Sequence, residues 1–300
     1  MPKNNIAVFG LGSMGFGMAK SALEAGHKVY GFDINQDAVE RLLKLGGSIG
    51  AINDIAADID IAICVVLNAD QTRDVLFGVH GIVQHMKRDS VVIACATVPP
   101  DIAREMEAKC LETGVHYLDA PISGGSLKAA KGQLTIMASG SDAAFKAADP
   151  ALKVLAENVF TLGDAAGAGS AMKAVNQLLA GVHIATMAEA LTFGMTQGVE
   201  PEKFLEVISQ CAGTSWMLEN RAPHIIEGDY TPRSAVDIWP KDLGIVLEIA
   251  KAAKFSAPIT AAALQQFLAA SGSGLGREDD SAVAKVYARN AGLTLPEKKL

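Results

Sequence analysis

The sequence predicts an α/β domain with a doubly wound, mostly parallel sheet, followed by an all-α domain. Short apolar runs of strand type alternate with helical patterns over roughly the first 160 residues, as in domains built from βαβ units. After Gly163 the strand pattern stops, and helical periodicity alone continues as far as Asn290. We therefore expect a first domain over residues 1–164 and a second domain over residues 165–300, which begins with a long interdomain helix.

The strands of the first domain have the pattern of a parallel sheet. Residues 59–67 form a continuous apolar run, which is typical of a strand buried on both faces. Shorter strands are predicted at 6–9, 29–33, 90–94, 115–118, 133–138 and 159–162, and helices at 37–45, 71–77 and 101–113. Strands that alternate with helices in this way predict crossovers on both faces of the sheet.

The second domain is predicted to begin with one long helix. Residues 170–197 are rich in Ala, Met and Leu and contain no Pro. Shorter helices are predicted at 201–210, 242–253, 259–270 and 281–290, with a flexible Ser/Gly loop at 271–276. Because the long helix is apolar on more than one face, it needs partners, and we expect a homodimer or a homotetramer.

Composition argues against several classes of function. The net charge of −7, without a basic cluster, argues against a nucleic-acid partner. The four cysteines form no CxxC pair and the six histidines show no ligand spacing, so we expect a reduced protein without a metal site. We find no signal-peptide pattern and no apolar stretch near the roughly 20 residues of a membrane helix. The expected location is the cytoplasm, without a membrane partner.

A glycine motif after the first strand predicts a dinucleotide site. Gly10-Leu11-Gly12-Ser13-Met14-Gly15 follows a strand and opens a helix within a βαβ unit, which is the context that this motif requires. The first glycine permits a tight turn, the second lets the backbone approach a pyrophosphate, and the third lets the helix pack on the strand. The helix N-terminus offers free N–H groups to the phosphates. The alternative is a glycine turn without a ligand.

Asp33 predicts which dinucleotide is bound. It lies at the end of the second predicted strand, 21 residues after Gly12. A carboxylate in this place accepts a hydrogen bond from a ribose hydroxyl and repels a 2′-phosphate, which favours NAD over NADP. The alternative is a solvated aspartate at a strand end. Sheet, glycine motif and acid together are the pattern of a Rossmann domain.

Four motifs in one order resemble the β-hydroxyacid dehydrogenases, the family of 3-hydroxyisobutyrate dehydrogenase and 6-phosphogluconate dehydrogenase. They are GLGSMGFGMA at 10–19, DAPISGG at 119–125, GAGSAMKAVNQ at 167–177 and KDL at 241–243. The resemblance covers essentially the whole chain. It implies a second domain of the 6-phosphogluconate dehydrogenase type and NAD-dependent oxidation of a small hydroxy-carboxylic acid. Residues 175–185, 215–224 and 228–246 resemble the branch of the family that oxidises L-threonate to its 2-keto acid.

The resemblance also implies roles for individual residues. It makes Lys173 the general acid/base. It places the substrate on a set of small and amide residues, namely Ser123, Gly124, Gly125, Asn176 and Gln177. It places the cofactor, beyond the glycine motif and Asp33, on Val66, Leu67, Thr97 and Lys241. Gln177 departs from the family pattern, which has asparagine there.

Spacing makes these roles physically reasonable and leaves alternatives open. Asn176 and Gln177 lie three and four residues after Lys173, so the three side chains share one face of a helix. A lysine in such a helix otherwise extends to solvent. The Ser-Gly-Gly sequence at 123–125 offers a hydroxyl and backbone N–H groups to a carboxylate, but it is also a common turn. The pair at 241–242 also suits an exposed helix start.

Two other functions stay open at this point. The first is another enzyme of the same class, such as a tartronate semialdehyde reductase or a 3-hydroxyisobutyrate-type dehydrogenase. The second is a catalytically silent dinucleotide-binding scaffold, because a fold alone does not establish a function. Loss of the lysine would mark such a scaffold, and Lys173 is present.

Overall fold

The structure is a computed structural model that describes residues 3–298. Its contacts divide the chain into two compact units, Met1–Lys173 and Ala174–Leu300. The strands all belong to the first unit and are β1 (Asn5–Phe9), β2 (Lys28–Phe32), β3 (Ile61–Cys64), β4 (Val91–Ala94), β5 (His116–Asp119), β6 (Ile122–Ser123), β7 (Leu134–Ala138) and β8 (Ala156–Thr161).

Helices alternate with these strands and then continue alone. The first unit contains α1 (Gly15–Glu24), α2 (Gln36–Lys44), α3 (Ile52–Ile55), α4 (Ala69–Phe77), α5 (Pro100–Glu112), α6 (Gly125–Ala129) and α7 (Asp142–Leu155). The long helix α8 (Ala168–Thr196) is followed by α9 (Pro201–Ile208), α10 (Trp216–Glu227), α11 (Ile238–Ala252), α12 (Pro258–Ala270) and α13 (Ala284–Ala291). Short 3-10 turns lie at Ala56–Asp58, Val83–His85 and Asp280–Val283.

The main sheet is parallel and has the order β2-β1-β3-β4-β5. Alternate residues of β1 enter two different cores: Ile6 and Val8 pack with Met18 of α1, whereas Ala7 and Phe9 pack with Leu76 of α4. The sheet is therefore covered on both faces, and the predicted doubly wound architecture is confirmed. Because the strand order reverses between β1 and β3, the loops at their carboxyl ends border a crevice, the place where such sheets bind ligands.

A second, three-stranded sheet extends the first unit. Its order is β6-β7-β8, with β6 antiparallel and β8 parallel to β7. An isolated bridge between Asp119 and Ser139 joins it to the end of β5. This sheet places the segment after β5, with its DAPISGG sequence, beside the start of α8.

Two helices of more than ten residues are missing from the sequence prediction. Helix α7 contains Pro150 and helix α10 contains Pro223, and proline inside a helix removes a backbone hydrogen bond, so the sequence pattern looks interrupted. The N-caps are the signals that mark them: the hydroxyls of Ser141 and Ser215 accept hydrogen bonds from the N–H groups of the helix starts. The predicted loop at 271–276 is also wrong in part, because Ser271–Leu275 forms a π-helical turn.

The second unit is all-α, as predicted, and encloses a buried ionic cluster. Asp280 accepts hydrogen bonds from Arg221 Nε at 2.5 Å and from Trp239 Nε1 at 3.0 Å, and Asp279 lies 2.8 Å from His224 Nδ1. Burial raises the pKa of Asp280, and the Arg221 guanidinium opposes that shift. Arg221 and Trp239 thus have structural partners within this unit.

Helix α8 contradicts the prediction that no apolar stretch approaches the length of a membrane helix. It has 29 residues with a mean hydropathy of 1.4 over its most apolar window, and is long and apolar enough to cross a membrane by those criteria. The helix itself was predicted, but Lys173 and Glu189 interrupt its apolar run, so no apolar stretch of membrane length was predicted there. Within the chain, 44% of that window is buried. A core helix of a soluble protein passes the same test, so this single helix is weak evidence for a membrane span.

Candidate active site

The glycine loop has the shape of a pyrophosphate cradle. A Cβ at Gly10, where φ is +92°, would lie 2.4 Å from the carbonyl oxygen of Val65, and one at Gly15 would lie 1.9 Å from the carbonyl oxygen of Gly10. Neither position has room for a side chain. A Cβ at Gly12 would meet no atom within 4 Å, so the backbone is open to a ligand there. The loop fits the diphosphate of a dinucleotide.

Asp33 connects this loop to the end of β2. Its Oδ2 accepts a hydrogen bond from the Leu11 N–H at 2.6 Å, and its Oδ1 accepts one from the Asn35 N–H at 2.7 Å. Each carboxylate oxygen has two acceptor positions, so both oxygens keep the capacity to bind a ribose hydroxyl. The two backbone bonds fix the direction in which the carboxylate points.

A cavity of about 310 Å³ opens beside Asp33. It is lined by Leu11, Gly12, Ser13, Phe16, Asp33, Asn35, Ala38 and Arg41. The Arg41 guanidinium lies over the Phe16 ring, with 4.7 Å from Cζ to the ring centroid. These residues fit the adenosine half of a dinucleotide. Sequence reasoning missed Arg41 and Phe16; the signal was their place on the helices that follow the glycine motif and Asp33.

The predicted nicotinamide residues follow neighbouring strands. Val66 and Leu67 come two and three residues after β3, and Thr97 comes three residues after β4, which pairs in parallel with β3. Leu67 is 48% exposed, and a Cβ on Gly10 would lie 3.4 Å from Val66 Cγ1. The structure therefore brings Val66 next to the glycine loop. Contact with the nicotinamide stays a prediction for these three residues.

The buried carboxylate of Asp119 holds the start of α8. It accepts hydrogen bonds from the N–H groups of Gly167 at 2.9 Å and Ser170 at 2.8 Å, and from the Ser170 hydroxyl at 2.7 Å. Burial raises the pKa of Asp119, whereas these hydrogen bonds and a helix N-terminus favour its ionised form. This contact ties the start of α8 to the first compact unit, Met1–Lys173. The domain boundary at residue 164 stays a prediction.

Lys173 lies one turn further along α8 and is 9% exposed. Its Nζ donates a hydrogen bond to the Ile122 carbonyl oxygen at 2.9 Å. The lysine therefore does not extend to solvent. The segment from Asp119 to Ser123 contacts α8 twice, through the Asp119 carboxylate at the helix start and through the Ile122 carbonyl at Lys173. Both contacts fix the amine relative to Ser123, the neighbour of Ile122 in β6.

The predicted carboxylate cradle lies where β6 ends and α6 begins. Gly124 and Gly125 have φ values of +131° and +75°, a region that favours glycine. A Cβ at Gly125 would meet nothing within 4 Å, so its backbone is accessible. The Ser123 hydroxyl precedes this opening. The geometry is compatible with the predicted carboxylate site, which stays a prediction.

The remaining predicted residues form a chain of hydrogen bonds in the second unit. The buried carboxylate of Asp242 accepts hydrogen bonds from Lys241 Nζ and from Gln177 Nε2. Gln177 Oε1 in turn accepts a hydrogen bond from Asn176 Nδ2 at 2.9 Å. Asp242 is 2% exposed, so this pair is not an exposed helix start, and α11 begins earlier than predicted, at Ile238. Asp242 is the acceptor that joins the predicted residues.

Comparisons with known proteins place the chain in a family. The family described as the NAD binding domain of 6-phosphogluconate dehydrogenase matches residues 5–163. The family described as "NAD-binding of NADP-dependent 3-hydroxyisobutyrate dehydrogenase" matches residues 167–287. The chain belongs to the β-hydroxyacid dehydrogenases. It is an NAD-dependent hydroxyacid oxidoreductase, which confirms the enzyme class and the cofactor predicted from the sequence.

Three relatives of this β-hydroxyacid dehydrogenase are close over their full length. It is 48% identical to the L-threonate dehydrogenase of Cupriavidus necator over 98% of both chains. It is 43% identical to the L-threonate dehydrogenase of Escherichia coli K12, over 98% of this chain and 97% of that one. A crystal structure described as 3-hydroxyisobutyrate dehydrogenase from Salmonella typhimurium is 45% identical, covers 95% of this chain and 100% of its own, and superposes with a TM-score of 0.89.

Metal binding is not indicated for this dehydrogenase in the part of the chain that the structure describes. No group of three or more His, Cys, Asp or Glu side chains is placed there to hold an ion. The thiols of Cys64 and Cys95 are buried at the ends of β3 and β4, and burial raises the pKa of Cys64 to about 12. A thiol in that state is a packing group and not a nucleophile.

We predict that Asp119→Ala destabilises this dehydrogenase by about 2–3 kcal/mol, because three buried donors at the start of α8 lose their acceptor. The free energy of unfolding is measured by urea denaturation followed by circular dichroism. Asp101→Ala is the matched control, since Asp101 is an exposed aspartate in the first turn of α5. Equal destabilisation by the two variants would show that Asp119 does not anchor α8.

Proposed function

We propose that this enzyme oxidises L-threonate at the carbon next to the carboxylate, giving the 2-keto acid, with Lys173 as general acid/base. One observation carries the proposal: Lys173 is buried, and its amine is held at the Ile122 carbonyl beside Ser123. The relatives named L-threonate dehydrogenase, one of them 48% identical over 98% of both chains, support the choice of substrate.

Most of the proposed cofactor contacts belong to the first unit. The backbone of residues 10–15 holds the diphosphate, and Asp33 holds the adenosine ribose in the cavity beside it. Val66, Leu67, Thr97 and Lys241 are proposed to contact the nicotinamide half. NAD, when bound, supplies the hydride acceptor at C4 of its nicotinamide ring.

Lys173 moves the proton. A neutral amine has two N–H donors and one lone pair. One N–H is directed to the Ile122 carbonyl. The lone pair of the neutral amine is proposed to accept the proton of the reacting hydroxyl. In reduction the ammonium returns that proton. The carbonyl contact keeps Nζ in place in both protonation states, because the ammonium also donates.

The substrate carboxylate is proposed to bind at 123–125. The Ser123 hydroxyl and the backbone N–H groups of Gly124 and Gly125 are donors, and donors are what a carboxylate requires. Asn176 is three residues from Lys173 in α8 and shares its helix face, so it is proposed to bind a hydroxyl of the substrate. Gln177 was predicted to bind substrate as well, and its role is taken up below.

A panel of hydroxy acids tests the substrate. We expect kcat/KM for NADH formation to be at least about tenfold higher with L-threonate than with 3-hydroxyisobutyrate, because a hydrogen bond to an additional substrate hydroxyl is worth that much. Tartronate semialdehyde is tested in the reverse direction. A higher kcat/KM for 3-hydroxyisobutyrate would overturn the L-threonate proposal while leaving the enzyme class intact, and the described activity of the Salmonella structure makes it the second candidate.

We also propose that the enzyme is a cytoplasmic homodimer or homotetramer. Met172, Val175, Leu179 and Phe193 of α8 are between 44% and 65% exposed. Large apolar side chains on one helix favour burial against another subunit. Light scattering of the purified enzyme would contradict this proposal if it gave the mass of a monomer.

A further inference from the structure

The hydrogen-bond chain in the second unit begins at an atom that can only accept. The Asp242 carboxylate is 2% exposed and paired with the Lys241 ammonium, which is a donor only. The group that Gln177 turns towards Asp242 must therefore be its NH₂. Amide orientations are in general assigned from their hydrogen-bond partners, and here a carboxylate leaves one assignment.

This fixed end sets the orientation of the next two amides. With its NH₂ on Asp242, Gln177 turns its carbonyl oxygen towards Asn176. A carbonyl oxygen only accepts, so Asn176 must offer its own NH₂ at that contact. The carbonyl oxygen of Asn176 then lies on the other side of its amide, away from Gln177.

Both polar atoms of the Gln177 amide are thus used inside the protein. The side chain is 7% exposed and bridges two residues that are 66 positions apart, Asn176 and Asp242. The glutamine side chain is long enough for its amide to contact Asp242 and Asn176 together.

We propose that Gln177 is a positioning residue that makes Asn176 present an acceptor to the substrate hydroxyl next to the reacting one. This inference rests on the proposed function, in which Lys173 takes the reacting hydroxyl at C2. Asn176 shares the helix face of Lys173 and lies about one turn away, so it recognises the neighbouring hydroxyl, at C3. A substrate without that hydroxyl cannot donate to Asn176 Oδ1. The hydrogen bonds that link Lys241, Asp242, Gln177 and Asn176 therefore favour polyhydroxy acids as substrates.

The test compares two substrates that differ only at C3: L-threonate and 2,4-dihydroxybutanoate with the matching configuration at C2. The readout is the ratio of their kcat/KM values. We expect a ratio of about ten in the wild-type enzyme, from one hydrogen bond. In Gln177→Met and in Asn176→Ala the ratio should fall to about one. The double variant should have the ratio of each single variant, since Gln177 acts through Asn176.

If Gln177 had only a structural role, its substitution would lower kcat/KM for both substrates alike. The ratio of the two kcat/KM values would then stay at about ten. That result would overturn the inference, as would additive effects of the two substitutions, which indicate that Gln177 contacts the substrate itself. Gln265→Met is the matched control, since Gln265 is an exposed glutamine of α12, and its ratio should stay at the wild-type value. NADH affinity, measured by fluorescence titration, should be unchanged in Gln177→Met.

A second variant keeps the test decisive if Gln177→Met does not fold. In Asp242→Asn an amide replaces the acceptor that fixes the chain, so Gln177 is free to turn and the ratio should again fall. A ratio that stays near ten would overturn the inference. The two possible failures are distinguishable: a wild-type enzyme that does not oxidise L-threonate overturns the proposed function together with this inference, whereas turnover with an unchanged ratio in the variants overturns only the inference.

Discussion

Lys173→Ala will lower kcat by about 10²–10⁴-fold, which is the usual contribution of a positioned acid/base. The buried amine at the Ile122 carbonyl is the group placed to take the hydroxyl proton, and alanine has none. NADH affinity should persist, because the diphosphate is held on residues 10–15 and the ribose on Asp33. Steady-state kinetics and a fluorescence titration of NADH measure the two effects separately.

Two further variants sharpen this prediction. Lys173→Arg should not restore activity, since a guanidinium stays protonated at any working pH and cannot accept the proton. Lys146→Ala is the control, because Lys146 is an exposed lysine of α7, and its kcat should equal that of the wild type. If Lys173→Ala kept kcat within a few-fold of the wild type, Lys173 would not be the acid/base.

The enzyme will prefer NAD over NADP by at least about 100-fold in kcat/KM, which corresponds to about 2.7 kcal/mol. The Asp33 carboxylate is held by the Leu11 and Asn35 N–H groups, so it cannot turn away from a 2′-phosphate. Kinetics with the two cofactors at a fixed hydroxy acid concentration measure the preference. Equal turnover with both cofactors would contradict it.

Asp33→Asn should narrow that preference, because the repulsion disappears and Arg41, which lines the same cavity, supplies a cation for the phosphate. The structure adds a second effect. Asp33 accepts hydrogen bonds from two backbone N–H groups. An asparagine turns its NH₂, a donor, towards one of them, so that hydrogen bond is lost and KM for NAD should rise as well. Asp37→Asn is the control, since Asp37 is exposed and lies outside the cavity lining. It should leave both values unchanged.

The sequence predicted those elements whose structure depends on residues nearby in the sequence. The glycine motif, the strand at 59–67 and the acid at 33 depend on neighbours in the chain, and they predicted the sheet and the cofactor. The strand at 59–67 is shorter in the structure, Ile61–Cys64, because its last residues form the loop at the carboxyl end of the sheet.

The rest depends on contacts between distant residues, which sequence patterns do not contain. Asp119 is 51 residues from Ser170, and Gln177 is 65 residues from Asp242. Helices α7 and α10 were missed because tertiary packing tolerates Pro150 and Pro223 where a local pattern predicts a break. The resemblance to a family suggested residues 173, 176 and 177, but it did not show that the amide of Gln177 is occupied within the chain.

The most direct test of the proposed reaction uses L-threonate with deuterium at C2. The enzyme is incubated with this acid and NAD, and the reduced cofactor and the organic product are analysed by mass spectrometry. We expect the deuterium to appear in NADH in equal amount to the 2-keto acid formed. Reduced cofactor without deuterium, with the label retained in an oxidised product, would contradict oxidation at the carbon next to the carboxylate.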